Sequence, residues 1–210
     1  MTTFKLGIDK KTGETVSIQD AAKGLSCDCI CADCKKQFVA AQGQKNEWHF
    51  RHYEETDCKG GQETALHKLA KKIIADNSKI TLPFYGVVSY DNSVQEKYFQ
   101  TIQPDVTATT SGQNFFFEVL VTHPVDQVKE NFYKNGEHKS VEIDLKHFNF
   151  TTENLENEVL RNIENKRLIF WEKKVVAQTN NDNSVLYFVL FLLGLLTFGL
   201  IKSSNRRSRR

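Results

Sequence analysis

The chain has no hydrophobic segment near its start, because the first fourteen residues, MTTFKLGIDKKTGE, are mostly polar. We therefore expect no secretion signal, which would need an apolar stretch at this end. An excess of one charge is also missing. The formal net charge is +2, but five of the 28 basic residues lie beyond residue 201, which leaves 23 basic and 26 acidic residues before it. This balance excludes a broad basic surface for nucleic acid, so any such contact must be local.

A long uncharged apolar run is absent from the first 184 residues and follows directly after them. Residues 185–201 read VLYFVLFLLGLLTFGLI. A helix of that length reaches roughly 25 Å, at the short end of a bilayer span. A buried core helix is the alternative, but such a helix usually keeps a polar face and this run has none. The run predicts a single C-terminal transmembrane helix.

The residues after this helix, KSSNRRSRR, are strongly basic, and basic flanks tend to stay in the cytoplasm. That orientation would place the preceding domain outside. The domain lacks an export signal, however, and its thiols need a reducing compartment to bind a metal. We therefore expect a single-pass membrane protein with a cytoplasmic domain and a short translocated tail.

The patterns along the chain predict five segments. They are a β-rich start with a Cys/His module at 1–61, an α/β core at 62–177, a polar linker at 178–184, the membrane helix at 185–201 and the basic tail at 202–210.

Within the core, the patterns predict the order helix, three strands, helix, strand, with one more helix after them. The first helix, from 62 to about 77, has an apolar stripe at spacings of 3, 4 and 7, formed by Leu66, Leu69, Ala70 and Ile73. The other elements are strands at 80–90, 98–109, 114–122 and 141–145 and helices at 125–135 and 153–165. The run FFFEVLV is apolar on both faces, which is typical of a strand in the middle of a covered sheet.

All five cysteines fall between positions 27 and 58, and clustered cysteines without a secretion signal indicate metal ligands before disulfides. Cys31 and Cys34 have the short spacing that places two thiolates on one ion. Cys58 supplies a third thiolate, and we choose His52 as the fourth ligand of a tetrahedral zinc site. A closed site of this kind is structural, and the metal would supply most of the folding energy of so small a module.

The sequence leaves alternatives to this ligand set. They are His49 in place of His52, Cys27 or Cys29 in place of another cysteine, and free buried thiols with no metal at all.

Two acidic residues lie in neighbouring predicted strands. A hairpin turning at Ser111 and Gly112 places Asp105 directly opposite Glu118 on one face, with Cβ atoms roughly 5 Å apart. Such carboxylates repel each other unless a cation lies between them, and Mg²⁺ prefers oxygen ligands of this kind. The alternatives are a purely structural pair or a slipped register.

The preceding helix carries Glu63, His67 and Lys71 along one edge of its apolar stripe. Residues four positions apart on a helix are neighbours, so Glu63 and His67 would face the element on which the helix packs. The alternative for these two is a solvated surface pair.

The ordered motifs resemble those of the CoiA-like competence-protein group. They are the Cys-x2-Cys pair, WHFRH, ETALHKLAK, the Pro104-Asp105 strand, the Glu118 strand and THPVDQVK, and together they cover roughly residues 25–145. The resemblance implies an N-terminal zinc-binding segment and a PD-(D/E)xK nuclease core. It implies metal-dependent hydrolysis of DNA phosphodiester bonds with Mg²⁺ or Mn²⁺, in DNA processing or competence. Asp105 and Glu118 would bind that metal, and Glu63 and His67 would complete the site.

One position departs from this resemblance. The family motif has a lysine two residues after the strand glutamate, where this chain has Leu120. Lys129 in the following helix is our candidate substitute, with an ordinary solvated lysine as its alternative. Lys71 is a second candidate, and Thr122 shares a strand face with Glu118. The sequence therefore leaves three functions open: a membrane-tethered nuclease, a non-catalytic DNA-binding accessory protein, and a zinc-stabilised interaction module at the membrane.

Overall fold

The N-terminal part of the chain is built from short strands. The computed structural model describes residues 4–150 and 154–172. The first strands are β1 (Leu6–Asp9), β2 (Thr15–Ser17), β3 (Cys29–Ile30), β4 (Phe38–Ala41) and β5 (His49–His52). β1 lies between β2 and β3 in an antiparallel sheet, and β4 pairs with β5. Phe4, Phe38 and Phe50 are fully buried and stack on one another, so they form the core of this part.

The rest of the described chain is organised around a five-stranded sheet. Its elements are α1 (Gly61–Asp76), β6 (Lys79–Leu82), β7 (Gly86–Ser89), β8 (Asp91–Gln95), β9 (Val106–Thr110), β10 (Gln113–Leu120), α2 (Gln127–Asn135), β11 (Lys139–Asp144), α3 (Leu155–Leu160) and β12 (Lys166–Phe170). The strand order in the sheet is β12-β11-β10-β9-β8. β10 and β11 are parallel, and the other neighbours are antiparallel.

β10 is the central strand, as the FFFEVLV run predicts. Phe115 and Phe117 pack in the apolar cluster that includes α1, whereas Phe116 packs with Tyr133 of α2 in a separate cluster. Successive side chains of a strand point to opposite faces, so the run is buried on both sides. The predicted first helix is also confirmed, since α1 covers Gly61–Asp76 and buries one apolar side.

The predicted fold class is wrong. The expected PD-(D/E)xK core has the order helix, three strands, helix, strand. Among the described residues, five strands rather than three separate α1 from α2, and a further helix and strand follow β11. β6 and β7 form a hairpin of their own outside the five-stranded sheet. The described part is therefore a sheet-rich mixed α/β fold with three α-helices, and it lacks the predicted core.

The strand predicted at 80–90 is the β6–β7 hairpin. Phe84 and Gly86 have φ angles of 66° and 71°, in the left-handed region, and the chain reverses between the two strands. Strand β8 begins directly after Tyr90 and pairs with β9 across an irregularity between Asp91 and Val94.

The strand predicted at 98–109 begins only at Val106. The residues before β9 form a loop that is closed by backbone pairing between Phe99 and Ile102. Gln100 has a φ of 53° in this loop, a left-handed angle outside the range of a regular extended strand. Turn geometry therefore replaces the first half of the predicted strand.

The last predicted helix, at 153–165, is shorter in the structure. α3 begins after Asn154, whose side chain accepts a hydrogen bond from Asn157 N at 2.9 Å, and the helix ends at Leu160. The chain then enters β12, which the sequence patterns do not predict. β12 pairs with β11 at the edge of the sheet.

No helix among residues 4–150 and 154–172 is long and apolar enough to cross a membrane. The predicted membrane helix at 185–201 lies outside the described residues, as do the linker at 178–184 and the basic tail at 202–210. These three segments remain predictions from the sequence.

Candidate functional site

Four side chains form a Cys/His cluster beside the stacked rings of the N-terminal part. Cys31 and Cys34 follow β3, His52 ends β5, and Cys58 lies shortly before α1. Their ligand atoms all lie within 4.8 Å of one another. Among the described residues, this is the only group of three or more Cys, His, Asp or Glu that comes so close. It contains the four residues that the sequence predicts as ligands.

The geometry of the Cys/His cluster fits a tetrahedral metal site. Cys31 Sγ lies 3.7 Å from Cys58 Sγ, and Cys34 Sγ lies 3.3 Å from His52 Nε2. With Zn–S bonds of about 2.3 Å, two sulfurs of a tetrahedral site lie about 3.8 Å apart. Three thiols and one imidazole also form one of the usual donor sets of structural zinc. The cluster is therefore compatible with a structural metal such as zinc.

The other ligands that the sequence allows lie outside the cluster. Cys29 Sγ donates to the carbonyl of Cys27 at 3.1 Å, and the Cys27 thiol faces the carbonyl of Phe38. His49 Nδ1 lies 2.9 Å from the carbonyl of Glu47. The two extra thiols are buried, so they behave as small apolar side chains of the core.

Gly61 joins the Cys/His cluster to α1. A Cβ atom on this residue would lie only 2.5 Å from Cys31 Sγ and 3.3 Å from the ring of Phe4. A Cβ on the preceding Gly60 would lie 2.9 Å from Asp33 Oδ2. The glycine pair at the start of the helix therefore lets the backbone approach the sulfur closely. The Cys/His cluster therefore lies directly against the first turn of α1.

A second group of polar side chains lies where β9 begins and β10 ends. The hairpin has the predicted register as far as Val106, which pairs with Phe117, and Asp105 and Glu118 are the residues just beyond this last pair. The turn contains Ser111 with φ 52° and a glycine with φ 74°, the angles of the two-residue turns that favour hairpins. We call Asp105 and Glu118 the carboxylate pair.

Asp105 is held from the α1 side. Its Oδ2 atom lies 2.9 Å from His67 Nε2 and accepts a hydrogen bond from Val119 N at 2.8 Å. Burial opposes ionisation of this carboxyl, but the hydrogen bond and the charge of His67 outweigh it, so the pKa of Asp105 lies below its ordinary value. His67 is therefore a partner of the carboxylate pair rather than a solvated surface residue.

Glu118 is held from the α2 side. Its carboxylate accepts hydrogen bonds from Lys129 Nζ at 2.9 Å and from the Tyr133 hydroxyl at 2.5 Å. Its side chain is only 6% exposed. Burial, followed by repulsion from Asp105, raises the pKa of Glu118 to about 7, and Lys129 only partly offsets this shift. Lys129 is thus not the ordinary solvated lysine of the alternative.

The remaining predicted residues lie nearby in different roles. Lys71 is buried and pairs with Glu96 at 2.5 Å, so it does not contact Glu118. Glu63 Oε2 accepts a hydrogen bond from Thr122 Oγ1 at 2.8 Å, which joins the start of α1 to the end of β10. The predicted residues therefore occupy one region, but each carboxylate has its own partners.

Sequence analysis missed two residues of this region, Tyr133 and Glu142. Glu142 of β11 is directly paired with Glu118, so both side chains lie on the α2 face of the sheet. It is buried, and it accepts hydrogen bonds from Val125 N at 2.7 Å and from Arg167 Nε at 3.0 Å. The available signal was an acidic residue inside an otherwise apolar strand. For Tyr133, the signal was its position one helical turn after Lys129.

Comparison with known proteins finds no relative. No family model matches the chain, no curated protein matches it, and no solved structure matches it. The function proposed next depends on the two sites and on the sequence motifs.

Proposed function

We propose that this chain is a metal-dependent nuclease that hydrolyses phosphodiester bonds in DNA. Asp105 and Glu118 would bind Mg²⁺ or Mn²⁺, and zinc in the Cys/His cluster would be structural. A divalent ion bound here would activate water and neutralise charge on the phosphate. The observation that carries the proposal is the position of Lys129, whose ammonium group lies 2.9 Å from Glu118 Oε2 beside this pair.

Lys129 is our proposed substitute for the lysine that the family motif has at the position of Leu120. Leu120 is buried and has no group that can bind a water molecule or a phosphate oxygen. Lys129 reaches the strand glutamate from α2 instead, and its side chain is still 22% exposed. A partly exposed ammonium group next to a carboxylate can orient an attacking water and contact a phosphate oxygen. The proposal therefore assigns this role to Lys129.

The two carboxylates suit different tasks because their environments differ. The lowered pKa of Asp105 keeps it ionised, as a metal ligand must be. A pKa of about 7 allows Glu118 to accept a proton near neutral pH. Repulsion between the pair contributes to the raised pKa of Glu118, and a cation between them would relieve that repulsion.

The motif order that resembles the CoiA-like competence group supports DNA as the substrate and DNA processing as the setting. The apolar run at 185–201 supports a membrane tether. We propose that the domain acts on DNA at the cytoplasmic face of a membrane. Digestion of the domain by external protease in intact spheroplasts would contradict this orientation.

A DNA-binding accessory protein without catalysis is the second candidate. The observation that favours it is the internal pairing of the carboxylates, Asp105 with His67 and Glu118 with Lys129. Within the described residues, no third acidic or histidine side chain joins both of them in a close ligand group. A site that is already neutralised by its own side chains has less need of a cation.

The test is DNA cleavage by the full-length protein, purified in detergent. Single- and double-stranded DNA are incubated with Mg²⁺, Mn²⁺ or EDTA. We expect cleavage with either ion, none with EDTA, and a roughly 10³-fold slower rate for Asp105→Ala, since several kcal/mol of Lewis-acid stabilisation are lost. Asp20→Ala, at an exposed carboxylate, is the matched control. Full cleavage by Asp105→Ala would contradict the site, and salt-sensitive binding without cleavage would favour the accessory protein.

A further inference from the structure

A cavity of about 310 Å³ lies between the start of α1 and the loop after β10, and one of its lining residues is His67, the partner of Asp105. Its polar lining includes Glu63, His67, Thr122 and His123. Glu63 and Thr122 bond to each other, and His67 bonds to Asp105. His123 is exposed, and within the part of the chain that the structure describes its imidazole has no hydrogen-bond or ion-pair partner. It is therefore the titratable lining side chain that is available to a ligand.

The loop that carries His123 is fixed on both sides of it. Thr122 Oγ1 donates a hydrogen bond to Glu63 Oε2 at 2.8 Å. Val125 N donates a hydrogen bond to Glu142 Oε1 at 2.7 Å, and Glu142 is only 4% exposed. A charged acceptor makes a stronger hydrogen bond than a neutral one. The backbone around His123 is thus positioned while its side chain stays free.

We propose that His123 is the general acid of the reaction and protonates the leaving oxygen of the phosphodiester. This inference rests on the proposed nuclease function. Imidazole is the side chain most often used for such proton transfer near neutral pH. The nearby ionisable groups are already engaged, since His67 pairs with Asp105 and Lys129 pairs with Glu118.

Water attacks the phosphorus atom and loses a proton to solvent. The bond from phosphorus to the leaving oxygen breaks, and its electron pair goes to that oxygen. The imidazolium of His123 donates its proton there and gives an alcohol, and solvent then reprotonates the imidazole. The products are one phosphate end and one hydroxyl end.

The test compares two substrates, an ordinary DNA strand and one with sulfur in place of the leaving oxygen. A thiolate leaves without protonation because thiols are far more acidic than alcohols. We expect His123→Ala to lower the cleavage rate of the ordinary strand by about 10²- to 10⁴-fold, the usual contribution of general acid catalysis. In the second strand, sulfur replaces the oxygen that leaves in the reaction. On this strand we expect His123→Ala to lower the cleavage rate by less than about tenfold.

His147→Ala is the matched control, because His147 is exposed and lines a different cavity. It should cleave both strands at the wild-type rate. Thermal unfolding of each variant shows that the fold is retained. An equal loss on both strands would overturn the general-acid role, and so would no loss on the ordinary strand. If the wild-type protein cleaves neither strand, the proposed nuclease function itself fails, whereas the other outcomes leave it standing.

Discussion

The Cys/His cluster and the carboxylate pair differ in how their ligand atoms are satisfied. In the cluster, Cys31 contacts Cys58 and Cys34 contacts His52, so the ligand atoms mostly face one another. At the carboxylate pair, each acid has a basic partner on a different helix: His67 from α1 for Asp105 and Lys129 from α2 for Glu118. One region brings four donors to one point, and in the other each acid is bound by a basic side chain of its own.

This difference indicates how strongly the stability of each region depends on a metal. Thiols that face one another contribute little to the stability of the fold until a cation replaces their protons. We therefore expect the cluster to stabilise the fold mainly when it binds a metal. Each residue of the carboxylate pair already has a basic partner, so a divalent ion would add to hydrogen bonds that exist without it. We therefore expect the cluster to control folding and the pair to control chemistry.

The largest expected effect comes from breaking the Cys/His cluster. Cys34→Ser removes one thiolate, and we expect the full-length protein to lose its single equivalent of zinc. Structural zinc sites contribute on the order of 10 kcal/mol to the folding of small modules, so the melting temperature should fall steeply. The measurements are metal analysis and thermal unfolding, with and without a strong chelator.

Cys27→Ala is the control for that experiment, because the Cys27 thiol is buried but lies outside the cluster. It should keep one equivalent of zinc and lose only a little stability. Retention of zinc by Cys34→Ser, or an unchanged melting temperature after chelation, would contradict the structural role of the cluster.

A smaller effect is expected where the two regions meet. Gly61→Ala places a methyl group 2.5 Å from Cys31 Sγ at the start of the helix that carries His67. Overpacking of this kind costs roughly 2–3 kcal/mol in the free energy of unfolding, and the displaced sulfur should also bind zinc more weakly. Thermal unfolding and zinc competition with a chromogenic chelator measure the two effects.

Gly43→Ala is the matched control, since a Cβ at Gly43 would meet no atom within 4 Å. It should leave stability and zinc affinity nearly unchanged. If Gly61→Ala behaves in the same way, the Cys/His cluster and α1 are not coupled through this contact.

The two regions also differ in what the sequence could predict. The four residues of the Cys/His cluster were predicted because the Cys31–Cys34 spacing is local and the choice of further donors was small. The register of the β9–β10 hairpin was predicted because the turn at Ser111 fixes the pairing of its strands. In both places, short-range geometry determines the result.

Long-range pairing was the part that the sequence could not predict. Glu142 enters the site only because β11 lies parallel to β10, and no local pattern specifies that neighbour. Positive φ angles at Phe84 and Gln100, which ordinary residues rarely adopt, divided one predicted strand and shortened another. The expected order of three strands failed at these places, whereas individual site residues were found.

The smallest expected effect concerns the carboxylate pair and depends on pH. The folded-state pKa of Glu118 is raised from 4.5 to about 7, so the protonated form is favoured by folding. The resulting stability is fully present below pH 4.5 and is lost as the pH rises through about 7. Glu118→Gln cannot ionise, so between pH 6 and pH 8 the wild-type protein should lose roughly 1–2 kcal/mol relative to the variant.

Thermal unfolding at the two pH values, without added Mg²⁺ or Mn²⁺, measures this difference, and Glu156→Gln at an exposed position of α3 is the control. A difference in stability between wild type and Glu118→Gln that stays constant with pH would mean that Lys129 and Tyr133 fully compensate the buried charge.

Added Mg²⁺ sharpens the comparison with the Cys/His cluster. A cation at the carboxylate pair favours ionised Glu118, so it should remove the pH dependence in the wild-type protein and leave Glu118→Gln unchanged. If the pH dependence persists in saturating Mg²⁺, the pair is compensated by its own lysine and histidine and holds no metal.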